Sequence, residues 1–205
     1  DAGYIVEWRV VNAAEYGFPQ RRIRVFIVAK KGKSIGSSLI PFEYLTKSGI
    51  LARALPVEAT QLDCAQITID EDAEKVSKFF NKGKEEKSPF LNSGVFLNGI
   101  AYTIRTKESP KSGKSKTLGD ILQPDSQIEE SFFIPAGQLK EWKYLKGAKS
   151  VDRVHKGSGA QYKYSEGSMA FPDLLSNPSR TILTGEGGSS PSRFKHIIRT
   201  KNGYR

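Results

Sequence analysis

Two runs of β-branched and aromatic residues open the chain. Residues 4–11 (YIVEWRVV) and 23–29 (IRVFIVA) each predict a strand. Gly17 and Pro19 interrupt regular structure between them. The spacing therefore predicts an antiparallel pair joined by a long loop. Two strands bury too little surface to stand alone, so the pair reads as the torn edge of a larger sheet.

Further along, the pattern weakens. Residues 31–38 are rich in Lys, Gly and Ser and mark a boundary. Residues 70–82 predict an amphipathic helix, capped by Asp70, with Ala73, Val76 and Phe79 or Phe80 on one face and Lys82-Gly83 as the stop. Residues 81–89 read as a charged linker. Residues 94–105 predict a hairpin turning at Asn98-Gly99, and 107–116 a loop. Thr117 to Leu122 reads as a short capped helix. Gln138 to Ala148 reads as another, with Leu139, Trp142 and Leu145 at three-residue spacing. Residues 155–168, rich in Gly, Ser and Tyr, read as a loop. Residues 180–184 and 194–199 predict two strands around the loop Gly185 to Ser192. No internal repeat is present.

Charge changes this picture more than composition does. The net charge is +10, and it is uneven. Residues 131–205 carry 13 basic against 5 acidic side chains, or +8, whereas residues 61–90 carry 5 against 7, or −2. A polyanion such as DNA fits the basic last third. A solvated basic surface is the other reading. No run approaches the roughly 20 apolar residues that cross a bilayer, so no membrane partner is expected. The start lacks a basic-then-apolar signal pattern and reads as an internal boundary of a longer protein. One cysteine, Cys64, allows no internal disulfide and fits a reducing cytoplasm.

Candidate chemistry is sparse. Cys64 has no basic partner or helix start to lower its pKa, which favours a buried structural thiol. His155 and His196 are too far apart for a metal pair, and no metal site is expected. His196 reads as a surface or phosphate-facing residue on a strand. Ser112-Gly113-Lys114-Ser115 resembles the end of a phosphate loop, but Glu108 stands where its first glycine belongs. Gly185 to Gly188 follows a predicted strand without a helix behind it. It reads either as backbone approaching a DNA phosphate or as a plain turn. The most informative segment is Gln20 to Arg24. Arg22 and Arg24 lie at i and i+2 and share a face. They read either as a bidentate clamp on a phosphate or carbonyl or as a charged edge that resists aggregation.

At that segment a resemblance appears. Residues 12–28 (NAAEYGFPQRRIRVFIV) closely resemble the eighth conserved block of DNA (cytosine-5) methyltransferases, and Gly3-Tyr4 matches the pair that precedes it. Pro178 to Thr184, Gly187-Gly188, His196 to Ile198 and Asn202 to Arg205 resemble the ninth block. In that family the variable target-recognition domain lies between the two.

The resemblance implies an α+β chain. Residues 1–30 would be an edge hairpin torn from a Rossmann-like methyltransferase sheet. Residues 31–205 would be a small mixed target-recognition domain with short antiparallel strands and a few helices. The family flips a cytosine out of the duplex; a cysteine thiolate attacks C6, a glutamate assists at N3, and C5 takes a methyl group from S-adenosylmethionine. By resemblance Arg24 reaches the flipped cytosine, Arg22 orders the active-site loop, and Gln20 braces the pocket. Arg180, Thr181, Gly187, Gly188, Ser189, Arg193, Lys195 and His196 would face DNA.

The blocks for cofactor, nucleophile and glutamate are not in this chain. Alone it is expected to bind no S-adenosylmethionine and to transfer no methyl group. Double-stranded DNA is the expected partner, with no obligate protein partner. A bacterial, nucleoid-associated restriction–modification enzyme is the expected whole. A non-enzymatic DNA-binding module and a tRNA methyltransferase of the same fold are the alternatives. Residues 107–116 and 155–168 are candidate reading loops, or mere connections.

Overall fold

The computed structural model describes residues 3–32, 41–60, 62, 64–69, 72–80, 88–109, 115–186 and 190–205. Helices mix with small antiparallel sheets, as the α+β expectation requires. The chain forms two compact units: Asp1–Phe18 with Arg22–Ser115, and Pro19–Arg21 with Lys116–Arg205. No helix among the described residues is long and apolar enough to cross a membrane.

In the first unit, strand β1 (Tyr4–Asn12) pairs antiparallel with β2 (Ile23–Lys31), Tyr4 opposite Lys31 and Asn12 opposite Ile23. This is the pair that the hydrophobic runs predict. Next come α1 (Pro41–Glu43), a π-helical turn (Tyr44–Ser48) and α2 (Ile50–Ala54). Then follow β3 (Val57–Glu58), β4 (Ala65–Thr68), α3 (Ala73–Phe80), β5 (Ser93–Leu97), β6 (Ile100–Ile104) and β7 (Lys107–Glu108). The pair does not stand alone: the sheet order is β2-β1-β5-β6-β4, every neighbour antiparallel. Asn98 and Gly99 both take positive φ, 50° and 76°, in the β5–β6 turn, as expected for a two-residue hairpin. The α3 cap is Asp72, which accepts from the Glu74 and Lys75 amides at 2.9 and 3.3 Å; the expected cap, Asp70, lies outside the described residues. On its expected apolar face, Val76 is half-buried.

Alternation buries Ile5, Glu7, Arg9 and Val11 on one face of β1. Two of the four are charged, and both are spent on helix ends. The Glu7 carboxylate accepts from the Tyr44 hydroxyl at 2.7 Å and from the Ile50 and Leu51 amides at 3.0 and 3.1 Å. It thereby satisfies the free donors at the start of α2. Arg9 donates to the carbonyls of Leu45, Leu51 and Leu55 at 2.6, 3.2 and 2.5 Å. A Cβ at Gly49 would lie 2.6 Å from the Tyr44 carbonyl and 2.8 Å from Glu7 Oε2, so only glycine lets the carboxylate come this close. Ile5, Tyr44, Leu45, Val95 and Ile104 form the apolar core beside this pair.

In the second unit, helix α4 (Leu139–Lys146) buries Trp142 and Lys146. It leads into the hairpin β8 (Lys149–Val154) and β9 (Gln161–Glu166). β10 (Arg199–Thr200) and β11 (Gly203–Tyr204) make a second, short hairpin. Several expectations need correction. Residues 161–166 are a strand, not loop: their polar alternation has no apolar face to announce it. Thr117 to Leu122 makes only a 3₁₀ turn, Gly119–Ile121, with Asp120 accepting from the Thr117 amide and hydroxyl. The strands expected at 180–184 and 194–199 do not form, apart from Arg199 at the start of β10. Side chains take up several backbone groups of those segments, while Ile198 pairs through its amide and carbonyl with Arg205.

Candidate nucleic-acid interface

The Asn12 to Arg24 segment starts with a side-chain cap. Asn12 Oδ1 accepts from the Ala14 amide at 3.4 Å, and its amide group donates to Glu15 Oε1 at 3.2 Å. This closes the 3₁₀ turn Ala13–Tyr16. Gly17 ends it at φ 86°, a left-handed conformation that glycine adopts without penalty. Beyond it, Pro19–Arg21 joins the second unit. The Ser179 amide donates to the Pro19 carbonyl and the Arg21 amide to the Ser179 carbonyl, both at 2.8 Å. Gln20 and Ser179 thus form a parallel bridge. The Thr181 hydroxyl donates to the Arg21 carbonyl at 2.8 Å, across 160 residues of sequence. The two tracts that resemble conserved blocks therefore touch.

Arg22 and Arg24 return to the first unit and are exposed. Among the described residues, Arg24 bonds only to its neighbour, the Ile23 carbonyl, at 2.7 Å. Both guanidinium groups are open to an anion.

The remaining predicted residues point inward. Arg180 Nε lies 2.8 Å from Asp173 Oδ1. Its terminal nitrogens reach the Phe194 and Lys195 carbonyls at 3.3 Å. Asp173, 5% exposed, also accepts the Ile197 amide at 3.0 Å. Burial pushes the Asp173 carboxyl up, but the hydrogen bonds from Arg180 and Ile197 outweigh it and hold it below its usual value. Lys195 is buried, with Nζ on the Ser190 carbonyl.

His196 is neither on a strand nor surface-facing. It is half-buried, and Nδ1 meets Glu186 Oε2 at 2.6 Å while its amide donates to the same oxygen at 3.2 Å. Burial raises the Glu186 carboxyl less than these bonds and the Leu183 amide lower it. Arg193 spans the Leu145 and Gly147 carbonyls at 3.1 and 3.2 Å, the Gly167 carbonyl, and Glu166 at 3.2 Å. Gly187, Gly188 and Ser189 lie outside the described residues.

Sequence reading missed the partners that make this frame. Asp173, Glu186 and Lys146 gave no periodic signal. Lys146 is 1% exposed, gives its ammonium to the Lys195 carbonyl, and has its pKa lowered by burial. A cavity of about 900 Å³ within the second unit is lined by Phe133, Pro135, Trp142, Glu186, Lys195 and His196, among others. Cys64 packs on the first unit's core, where burial pushes its thiol up, away from the thiolate a nucleophile needs. No group of metal-ligating side chains stands together among the described residues. Among the described residues, no helix follows the Thr184–Glu186 turn of the glycine-rich stretch. It does not fit a phosphate or dinucleotide cradle.

Residues 1–186 match the sequence model of the family described as C-5 cytosine-specific DNA methylase. Over 211 aligned positions the chain is 38% identical to the type II methyltransferase M.Sau3AI of Staphylococcus aureus, covering 100% of this chain and 48% of that protein. The chain thus spans about half the length of the curated relative it matches. No solved structure matches.

Proposed function

The chain belongs to the C-5 cytosine-specific DNA methylase family, and from that premise we propose that it is the target-recognition part of a DNA (cytosine-5) methyltransferase. The whole enzyme methylates C5 of a flipped cytosine within a specific duplex sequence, as one half of a bacterial restriction–modification pair. It works in the cytoplasm, at the nucleoid. Residues 1–30 are the edge of its Rossmann-like catalytic sheet, and residues 31–205 are the recognition domain.

The observation that carries this reading is the join between Pro19–Arg21 and Ser179–Thr181. It holds Pro19–Arg21, the segment just before the paired arginines, against the ninth-block tract by hydrogen bonds within the second unit. A second observation supports the torn edge. Ile23, Val25, Phe26 and Ile27 of β2 are 60, 59, 47 and 67% exposed, an apolar strand on the sheet's rim that the rest of the catalytic domain would cover.

Roles follow from placement. Arg22 and Arg24 are exposed and are the residues to meet the extruded cytosine and its flanking phosphate; Gln20, which forms a bridge to Ser179, has the supporting role. Arg180, Thr181, Arg193, Lys195 and His196 serve DNA binding by holding the frame, while Gly187, Gly188 and Ser189 approach the backbone. S-adenosylmethionine supplies the methyl group to the whole enzyme. In this reading the cofactor is held by the part of the enzyme outside this chain. Double-stranded DNA is the partner of the whole enzyme, and the chain alone transfers no methyl group.

The test is Arg24→Ala in the full-length enzyme. Methyl transfer should fall about 100-fold, with duplex binding changed far less. Unchanged turnover would remove Arg24 from the site. Duplex binding by the wild-type enzyme should also fall steeply with salt; a flat response would remove the basic last third as a DNA face.

A further inference from the structure

The β8–β9 hairpin has two unlike faces. Its register runs from Lys149 opposite Glu166 to Val154 opposite Gln161, and alternate side chains point to opposite sides. One side carries Lys149, Val151, Arg153, Tyr162, Tyr164 and Glu166. That side is braced. The Arg153 guanidinium stacks 3.7 Å from the centre of the Tyr164 ring. The Tyr164 hydroxyl donates to Glu166, which is also held by Arg193 at 3.2 Å and Lys149 at 3.7 Å. Arg193 in turn fixes the root through the Leu145, Gly147 and Gly167 carbonyls.

The other side carries Ser150, Asp152, Val154, Gln161, Lys163 and Ser165, all exposed. Among the described residues, its one side-chain hydrogen bond joins the Ser150 and Ser165 hydroxyls at 3.3 Å. Among the described residues, Asp152, Gln161 and Lys163 have no side-chain partner. The tip is ordered from within: His155 Nδ1 faces the Gly157 and Ser158 amides, each at 3.3 Å, and the Ser158 hydroxyl at 3.1 Å.

A two-stranded ribbon is marginal in water without a third layer. This one is stiffened on one side only, which leaves the other side both rigid and bare. The bare side holds hydroxyls, a carboxylate, an amide, an ammonium and one branched methyl pair. These match base edges: amide to adenine, ammonium to guanine, carboxylate to the cytosine amino group, methyl to the thymine methyl. It lacks the aromatic anchor that a protein partner would need; Tyr162 and Tyr164 are on the braced side. The ribbon also carries Lys149, Arg153, Lys156 and Lys163 against Asp152 and Glu166, the sign that suits phosphates. The major groove, about 12 Å wide, admits a two-stranded ribbon. Six residues of strand reach about 20 Å, close to six base-pair steps.

We propose that the β8–β9 ribbon enters the major groove of the substrate duplex, with Asp152, Gln161 and Lys163 reading base edges. Arg153 and Lys156 lie along the flanking phosphates. This rests on the reading of the chain as the recognition part of a DNA methyltransferase, and it assigns specificity to one element of it.

The experiment uses the full-length enzyme on duplexes randomised around the cytosine, with methylated positions read by bisulfite sequencing. Gln161→Ala, Lys163→Ala and Asp152→Asn should each relax preference at one or two adjacent positions, by about tenfold or more. Lys156→Ala should weaken binding to all sequences alike and flatten the salt dependence by about one unit of slope. All four side chains are exposed, so melting temperatures should hold. An unaltered sequence preference in all three base-reading variants overturns the proposal. So does a change in oligomeric state in place of preference, which would make the ribbon a contact between copies. If wild-type enzyme methylates a defined site and the variants keep it, only this inference falls. If wild-type enzyme methylates no duplex, the parent reading falls with it.

Discussion

The sheet of the first compact unit pairs its backbone groups strand to strand, whereas the segment 194–197 of the second is held largely by side chains. In the first, five strands exchange hydrogen bonds across β2-β1-β5-β6-β4, and an apolar cluster around Leu45 and Val95 fills the space beneath. In the second, the Phe194 and Lys195 carbonyls and the His196 and Ile197 amides are held by Arg180, Lys146, Glu186 and Asp173. A ladder tolerates the loss of one side chain, because its bonds belong to the main chain. A side-chain frame does not: each charged group satisfies several partners, and removing it orphans them all. That is also why the frame suits a recognition surface, where segments must be irregular and still fixed.

The sharpest way to break this contrast is Asp173→Ala. It leaves the Arg180 guanidinium and the Ile197 amide without their acceptor. The expected loss is about 3–5 kcal/mol. Amide exchange should accelerate at residues 190–198 and stay slow in β5 and β6. The matching lesion in the first unit is Leu45→Ala, 2% exposed and in the apolar core. It should cost about 2–4 kcal/mol and do the reverse. Exchange that speeds up throughout the chain in both variants would end the claim that the units are held separately.

The same contrast explains what could be read in advance. β1, β2, β5 and β6 were legible, because strands that pair along their length need an alternating or continuous apolar run, and Asn98-Gly99 marks the turn between two of them. The buried Glu7 and Arg9 were not. Alternation says which residues face inward, but not that two charges there would meet helix ends. Residues 180–184 and 194–199 carried strand-like composition, and the structure spends their backbone on Asp173 and Glu186 instead. The β8–β9 hairpin was harder to read for the opposite reason: charged and hydroxyl side chains interleave with Val151, Tyr162 and Tyr164 and leave no continuous apolar face. At the candidate site, Arg22 and Arg24 were placed correctly on a strand start. The roles suggested for Arg180, Arg193 and His196 came from residue type, and residue type does not say whether a charge turns outward to DNA or inward to a carbonyl.

Titration should separate the units more gently than deletion. Asp173 and Glu186 have folded pKa values held below their ordinary 3.8 and 4.5. Their contribution is therefore present above the unfolded carboxylate pKa and is lost as pH falls through the lowered folded values. In the first unit, burial first and then the bond to Glu7 raise the Tyr44 phenol above its ordinary 10.0. Its contribution is complete below that ordinary value and fades as pH climbs toward the folded one. Exchange measured against pH should thus open residues 190–198 first in acid and the Tyr44 turn first in alkali. Opening in the reverse order would contradict the assignment.

The smallest effect tests the join itself. Thr181→Val keeps the shape of the side chain and removes the hydroxyl that donates to the Arg21 carbonyl. That bond is one neutral hydrogen bond at an exposed position, worth about 1 kcal/mol. The two backbone bonds between Ser179 and Pro19–Arg21 remain, so the tract should loosen without detaching. Thr181→Ser retains the donor and should restore the stability. The variant also divides two roles for this residue. If Thr181 acts by holding the arginine-bearing tract, the valine form loses stability and turnover, and its duplex affinity keeps the wild-type salt slope. If instead the hydroxyl touches phosphate, stability is unchanged and duplex affinity falls for every sequence. The first outcome keeps Thr181 as a clamp on the Arg21 carbonyl; the second transfers it to the DNA surface and leaves the holding of Pro19–Arg21 to Ser179.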